Sequence, residues 1–413
     1  MGKSKIRHIG IDAFLYLNIL LNLNLFAQNQ NLKTELVIIP QDISVSQINL
    51  LFQIDYPNLV FILEEGVYKA GIKGTLEIYS DDKLIERKSI DKQIRETEYS
   101  KTKNDLFMLQ GLFQFAVPHG EYSLKGVFDI TNTVSGFKYS KNLIINDSLT
   151  NHYFISPSDK INCDQKKNGN IAICNEIIPF SEKKYDLLMI VPNQYLNNPE
   201  IRITQFSSEL NHHDSIIRPD MFPVLRECDG KIVFDEAPNE DFSILRLPWI
   251  NRDLTEGAFE INLGADQEKE QIVLQCEWFD GPFSYFNKEK ALKVIGKIFG
   301  EREMEEILDS EENNPIYHFW KKKDPTPGTS FNELMAEFFF RVDKASNDFK
   351  NLQFPDGSLT DLGLIYIKYG DPDLIEKGFR NSVAIQIWHY KKLNKEFVFF
   401  DSSGVGNYVF QED

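Results

Sequence analysis

Apolar positions along most of the chain come in short runs or strict alternation rather than at helical spacing. TELVIIP, INLLFQIDY, LVFILEEGVYKAGIKGTLEIYS and LFMLQGLFQFAV follow one another between Leu32 and Val117 with turn residues between them, which predicts successive strands. In VPHGEYSLKGVFDI, Pro118, His119 and Gly120 form a turn, and Tyr122, Leu124 and Val127 carry an alternating strand onward, as a late strand of an antiparallel sandwich does. From about Thr150 to Asp280 the style repeats in YDLLMIVP, IRITQFSS, GKIVFDEAP, FSILRLPW, AFEINLG and EQIVLQCEWF. This predicts a second β-sandwich, joined to the first by a linker at INDSLTNHYFISPSDK.

The pattern changes after Asn287. NKEKALKVIGKIFGEREMEEILDSEE spaces its apolar residues as an amphipathic helix with a break near Gly300. In SFNELMAEFFFRVDKASNDF, Phe331, Leu334, Met335, Phe338, Val342, Ala345 and Phe349 step by three, four and seven, and Ser330 with Glu333 predicts a capping box. LGLIYIKYG, VAIQIWHY and EFVFFD then read as three strands. The expected fold is therefore two all-β, immunoglobulin-like sandwich domains followed by an α+β domain. The divisions are a signal peptide over 1–27, sandwiches over 28–148 and 149–280, and the α+β domain over 281–413.

The N-terminus sets the address. Lys3, Lys5 and Arg7 precede an apolar stretch from Ile9 to Phe26, and Ala27 and a Gln/Asn tract follow, the order of a secretory signal. Cleavage after Ala27 is expected, with a retained anchor as the alternative; no later stretch is long enough to span a membrane. An extracytoplasmic location follows: periplasmic, outer-membrane-associated or secreted. A net charge of −17 repels phosphate backbones, so nucleic acid is not an expected partner. The four cysteines, Cys163, Cys174, Cys228 and Cys276, allow two disulfides in an oxidising compartment. Cys163 and Cys174 flank a turn centred on Asn168-Gly169, so their pairing is one expectation and four free thiols the other.

Chemistry is sparse. The chain has no CxxC or CxxH spacing, nor a GxSxG, HExxH, P-loop or dinucleotide fingerprint, so neither metal nor cofactor is expected. The adjacent His212 and His213 beside Asp214 form the single His cluster, and consecutive side chains do not converge on one ion. Glu333, Asp361 and Asp401 are the candidate catalytic carboxylates, able to serve as an acid-base pair in hydrolysis if they share a cleft. Against that stand ordinary roles: Asp361 as a turn former entering a central strand, Glu337 paired with Arg341 at i,i+4, and Lys321, Lys322 and Lys323 as a solvated surface. Gly404 and Gly406 read as turn or bulge residues.

From Phe279 to Phe410 the ordered motifs FWKKKDPTPGTSFNEL, FFFRVDKASNDF, GSLTDLGLIYIKYGDPD, IQIWHY and FVFFDSSGVGNYVF resemble the GWxTD domain, a C-terminal module of exported proteins in diderm bacteria. The matching positions are Asp324, Pro325, Asn332, Glu333, Arg341, Gly357, Thr360, Asp361, Gly363, Gly370, Pro372, Trp388, Asp401, Gly404 and Gly406. Ser358 stands where the motif has Trp, and Leu362 and Leu364 stand where basic residues usually follow the Asp. The resemblance implies export and an architecture, and no reaction. The expected function is a non-catalytic binding or scaffold protein of the envelope or cell surface, with a protein or glycan partner; the alternative is a carboxylate-dependent hydrolase of an envelope or extracellular polymer.

Overall fold

The computed structural model describes residues 31–146, 152–193, 200–206, 208–210, 214–265 and 268–411. The expected signal segment and the His212-His213 pair lie outside the described residues. Contacts divide the chain into two compact units: one runs to Pro179 and resumes from Lys183 to Glu277, and the other joins Phe180–Glu182 to the residues from Trp278 onward.

The first unit begins with a sandwich. Strands β1 (Leu32–Pro40), β2 (Val45–Asp55) and β6 (Met108–Pro118) form one antiparallel sheet in the order β1-β2-β6. The facing sheet holds β3 (Ile62–Glu64), β4 (Val67–Ser80), β7 (Gly120–Ile130) and β8 (Gly136–Ile145) in that order, with β5 (Lys83–Glu96) also paired to β4. This is an immunoglobulin-like arrangement. Leu36, Ile38, Ile48, Leu50 and Phe52 from one sheet meet Ile72, Leu76, Leu124 and Phe128 from the other in a continuous core. At the β6–β7 corner the Tyr122 hydroxyl donates to the Pro118 carbonyl at 2.9 Å, tying the turn expected there to the late strand. The inward set on β7 is Tyr122, Leu124 and Phe128; Val127 has the opposite parity and is exposed.

The β1-β2-β6 sheet is buried on its other face as well. Val37, Ile39 and Leu51 project away from the first core and join a second one with Phe154, Leu188, Ile190, Leu225, Ile232, Phe234 and Ile244. These partners lie on β9 (Tyr153–Pro157), β13 (Tyr185–Pro192), β17 (Met221–Cys228), β18 (Lys231–Pro238) and β19 (Phe242–Leu247). A fully buried Val, Leu or Ile contributes ~1.5–3 kcal/mol relative to exposure, so three of them rival a domain's whole net stability of ~5–15 kcal/mol. Polar groups on the same face are satisfied across the junction. Gln114 Nε2 donates to the Leu225 carbonyl at 3.3 Å, and the Ile232 amide donates to Gln110 Oε1 at 3.0 Å. The two β-rich halves therefore share a layer instead of hanging from a linker.

Among the described residues the second half has three sheets. One runs β9-β13-β19-β16, with β16 at Ile216–Arg218; another runs β10-β11-β18-β17, with β10 at Ile161–Cys163 and β11 at Lys166–Asn170. The third runs β12-β21-β20-β14-β15, built from Ile177–Pro179, Glu268–Glu277, Gly257–Ala265, Glu200–Gln205 and Ser208–Glu209. The expected Cys163–Cys174 bridge is corrected: Cys163 is bonded to Cys228, and Cys174 is a buried free thiol, as is Cys276. The turn also lies elsewhere. Asp164 and Gln165 take the two left-handed positions of a two-residue hairpin, so Asn168 sits within β11 opposite Ile161. The chain therefore runs back along β10 before it reaches Cys174, which carries that residue past Cys163 instead of beside it.

The second unit is the α+β module. Helices occupy Phe283–Phe286, Lys288–Phe299, Glu301–Leu308, Pro315–Lys321, Glu333–Asp348 and Asp361–Tyr369. They precede an antiparallel sheet of β22 (Leu374–Arg380), β23 (Val383–Tyr390), β24 (Lys395–Asp401) and β25 (Val409–Phe410). The expected helix break occurs at Gly300, which has φ 114°. The expected capping box does not form: Asn332, fully buried, caps Glu333–Asp348 by accepting from the Met335 amide at 2.9 Å while its Nδ2 donates to the Trp320 carbonyl at 2.7 Å. Among the described residues no helix is long and apolar enough to cross a membrane.

Leu51→Ala is expected to cost ~2–5 kcal/mol as a cavity in a shared core. Urea unfolding followed by probes in both β-rich halves should shift together; a shift confined to one half would break the shared-layer account. Peptide mapping under non-reducing conditions should recover a Cys163–Cys228 link, and Cys228→Ser should lower stability by ~3–5 kcal/mol, given the long span the bond closes.

Candidate functional site

The stretch from Gly357 to Asp373 sits where helix, turn and sheet of the α+β module meet. Its apolar run was expected to be a central strand; residues Asp361–Tyr369 are instead an α-helix. The local chemistry explains the correction. Thr360 Oγ1 accepts from the Gly363 amide at 3.1 Å as an N-cap and donates to the Gly357 carbonyl at 2.8 Å. Asp361 in the first turn complements the helix dipole. Leu362, Tyr366 and Ile367 are buried, and Gly370 ends the helix at φ 79°. The first of the three expected strands is supplied instead by β22, directly after the Gly370-Asp371-Pro372-Asp373 turn.

Two glycines let three backbone segments approach one another. A Cβ on Gly363 would lie 2.0 Å from the Gly357 carbonyl oxygen, and one on Gly357 would lie 2.3 Å from the Ala345 carbonyl oxygen. The C-terminal part of Glu333–Asp348, the 3-10 turn Gly357–Leu359 and the helix Asp361–Tyr369 thus touch backbone to backbone. Arg341 closes the far end of the last helix, donating to the Ile367 carbonyl at 3.3 Å while paired with Glu337 at the expected i,i+4 spacing. Ser358, where the motif has Trp, is fully buried, and its hydroxyl donates to Asp356 Oδ1 at 2.7 Å.

Each candidate carboxylate is held by donors of the fold. Asp361 Oδ2 accepts from the Phe410 amide at 2.8 Å, so the helix start carries β25. Asp401, buried at the end of β24, accepts from the Ser403 hydroxyl at 2.7 Å, the Gly404 amide at 2.9 Å and the Gly406 amide at 2.8 Å. Gly404 and Gly406 have φ of 69° and 83°, as turn residues do. Asp361 and Asp401 thus serve the two ends of one C-terminal segment. Glu333 serves another, accepting from the Thr326 hydroxyl in a loop where Asp324 also takes the Thr326 amide at 2.8 Å, on either side of Pro325. Burial opposes ionisation of Asp401, but the Ser403 hydroxyl and the Gly406, Gly404 and Val405 amides outweigh it and hold the carboxyl below the usual range. At Asp356 burial is likewise outweighed, by Ser358 and Lys290.

Other residues of the module are likewise held by its packing and hydrogen bonds. Trp388 is buried against Phe349 and Phe399 with ring centroids 5.4 and 5.2 Å away. The Tyr390 hydroxyl donates to the Gly370 carbonyl at 2.8 Å beside Pro372. Of the three expected surface lysines, Lys321 is bound to Asp324 and the Thr329 carbonyl, and Lys323 lies over the Phe319 ring at 4.9 Å.

Pattern reading missed an aromatic rim. Phe279, Phe283, Phe286 and Phe340 are 51%, 66%, 54% and 48% exposed, large values for phenylalanine. Phe286 and Phe340 both lie edge-on to buried Trp278, with centroids 6.4 and 6.2 Å from it. No periodic signal marks them: PFSYF forms a single helical turn, and Phe340 ends a triple Phe run whose first two members are buried.

The model of the GWxTD domain matches residues 263–408, so the C-terminal region carries this domain. No curated protein matches the chain. Among solved structures, the chain is similar to the Ig tandem domains of titin at 10% identity over 60% of this chain and 98% of that one, with a TM-score of 0.14. A glycosyl hydrolase family 2 member from Bacteroides cellulosilyticus gives 8% identity over 60% of this chain and 29% of that one, with a TM-score of 0.16. The polymeric Ig receptor ectodomain of a teleost fish gives 10% over 59% and 98%, with 0.15. At such values the likeness does not extend to function.

Asp361→Ala is expected to lower stability by ~1–3 kcal/mol by leaving the Phe410 amide without its acceptor. Because the folded carboxyls of Asp356 and Asp401 lie below their ordinary value, their contribution is fully present above that value and is lost as pH falls from it through the lower folded value. Thermal melts of the full chain should therefore weaken below about pH 4, and Asp401→Asn should flatten that slope; an unchanged slope would remove Asp401 from the account.

Proposed function

We propose that this is an exported envelope or cell-surface protein without catalytic activity, in which β-rich layers present a GWxTD module that binds another protein or a glycan. What supports the reading is the contrast between the module's carboxylates and its aromatics. Glu333, Asp361 and Asp401 accept hydrogen bonds from hydroxyls and amides of their own fold, the work of structural acceptors. Phe279, Phe283, Phe286 and Phe340 are instead exposed, two of them, Phe286 and Phe340, against buried Trp278. Exposed rings on a packed base are the usual anchors of binding surfaces, for apolar side chains and sugar faces alike. The N-terminal Lys3-Lys5-Arg7 and apolar order supports export.

The test is capture from an envelope fraction and from a glycan array with the full chain, comparing wild type with Phe283→Ser/Phe286→Ser. The expected outcome is a specific partner or glycan lost in the double variant while circular dichroism is unchanged. Equal capture by both would remove the aromatic rim as the binding surface. Release of reducing ends from an envelope polymer, abolished by Asp401→Asn in a folded chain, would favour the hydrolase instead.

A further inference from the structure

A strained loop is fastened to the shared sheet through a buried acid. Glu35 on β1 has the same parity as Val37 and Ile39, so it points from the β1-β2-β6 sheet toward the second half of the unit. It is 2% exposed, and its Oε2 accepts the amides of both Cys174 and Glu176, each at 3.0 Å. The loop between those donors is further tied by the Asn175 amide to the Thr34 carbonyl at 3.2 Å. Asn175 and Glu176 are successive non-glycine residues in the left-handed region, with φ of 58° and 62°. Such a conformation persists only where its surroundings hold it.

Among the described residues Glu35 has no cation paired with it. Asp186, equally buried, is paired with the Arg246 guanidinium. The lysine nearest Glu35 in this cluster, Lys141 on β8, is paired with Glu176. The other ionisable groups around Glu35 are Tyr139 on β8, Tyr153 on β9 and the Cys174 thiol, whose burial raises all three. A cavity of about 390 Å³, lined by Leu36, Ile38, Lys141, Asn142, Tyr153 and Glu176, adjoins the loop at Glu176.

We propose that Glu35 is a proton-controlled latch: the closed Cys174–Glu176 loop holds it as the neutral acid, and opening the loop toward the cavity releases its proton to bulk water. Burial, and then the Glu176 charge, push Glu35 up to about 8 from its ordinary 4.5, outweighing the Glu176 and Cys174 amides and Lys141, which pull it down. The closed loop thus carries one more proton than the open loop between these values. Closure is fully favoured below the ordinary carboxylate value, weakens about tenfold for each pH unit as pH rises, and levels off above about 8. The attachment between the two β-rich halves is therefore tightest in acid.

Hydrogen exchange of the full chain, read by mass spectrometry on a peptide covering 171–177 and corrected for the intrinsic pH dependence of exchange, tests this. In wild type, protection of the peptide should fall about tenfold per pH unit toward pH 8 and then level, while a peptide covering 257–263 stays flat. Glu35→Gln, which keeps the size and an acceptor but cannot ionise, should abolish the slope. Glu176→Gln, which removes the neighbouring charge, should bring the levelling to lower pH, and it decides the matter should Glu35→Gln not fold. A wild-type peptide with pH-independent protection, the same slope in Glu35→Gln, or a levelling point unmoved by Glu176→Gln would overturn the latch.

Discussion

The unit that fills the first two-thirds of the chain depends on one sheet with no solvent face. Sheets in ordinary sandwiches alternate apolar and polar positions because one side meets water. β1 and β2 cannot, because even-numbered residues such as Leu36, Ile38, Leu50 and Phe52 fill one core and Val37, Ile39 and Leu51 fill another. The hydrophobic effect does not choose a direction, so register has to. A one-residue slip would exchange the two faces and place Glu35 and Asn49 in the first core. Both are polar residues whose partners lie on the second face: Glu35 with the Cys174 and Glu176 amides, Asn49 with Gln114.

In the α+β module the governing constraint is close backbone approach. Gly357 and Gly363 are required because carbonyl oxygens occupy the space of a side chain, and Thr360 and Asp361 between them cap the helix and hold β25. This gives most of the GWxTD-like motif a mechanical meaning: it is a corner in which two helices and a strand are fastened by short polar side chains. Ser358 occupies that corner as a buried hydroxyl tied to Asp356, which in turn pairs with Lys290 on a neighbouring helix. The corner is therefore closed through a polar chain at the position where the motif has a large indole.

Much of this architecture was legible from patterning. Turn-bounded apolar runs located β1, β2, β4, β6 and β7 but passed over β5, β8 and β17, the first of them mostly exposed, and the three-and-four spacing located Glu333–Asp348 with the i,i+4 pair on its surface. The failures have physical causes. Asp361–Tyr369 is short and apolar on most sides, so periodicity cannot separate helix from strand there; Thr360 as a cap and Gly370 as a stop were the available signals. The turn role read for Asp361 was structural in kind but wrong in element. Cysteine pairing depends on tertiary neighbours, and four cysteines permit three pairings, so a nearby Asn-Gly misled. The aromatic rim had no signature, because exposure of Phe340 next to buried Phe338 and Phe339 is decided by what packs beside the helix.

A doubly covered sheet also bears on how the chain is made. Its three strands are complete once residue 118 has been synthesised, but the side chains that cover Val37, Ile39 and Leu51 come from strands lying between Tyr153 and Leu247. For the time that separates them, a growing chain carries an apolar β-surface with no cover, the kind of surface on which chains associate wrongly. The amino-terminal sandwich is thus complete in sequence well before its outer face has cover, and a fragment cut between the two halves would inherit that exposure permanently.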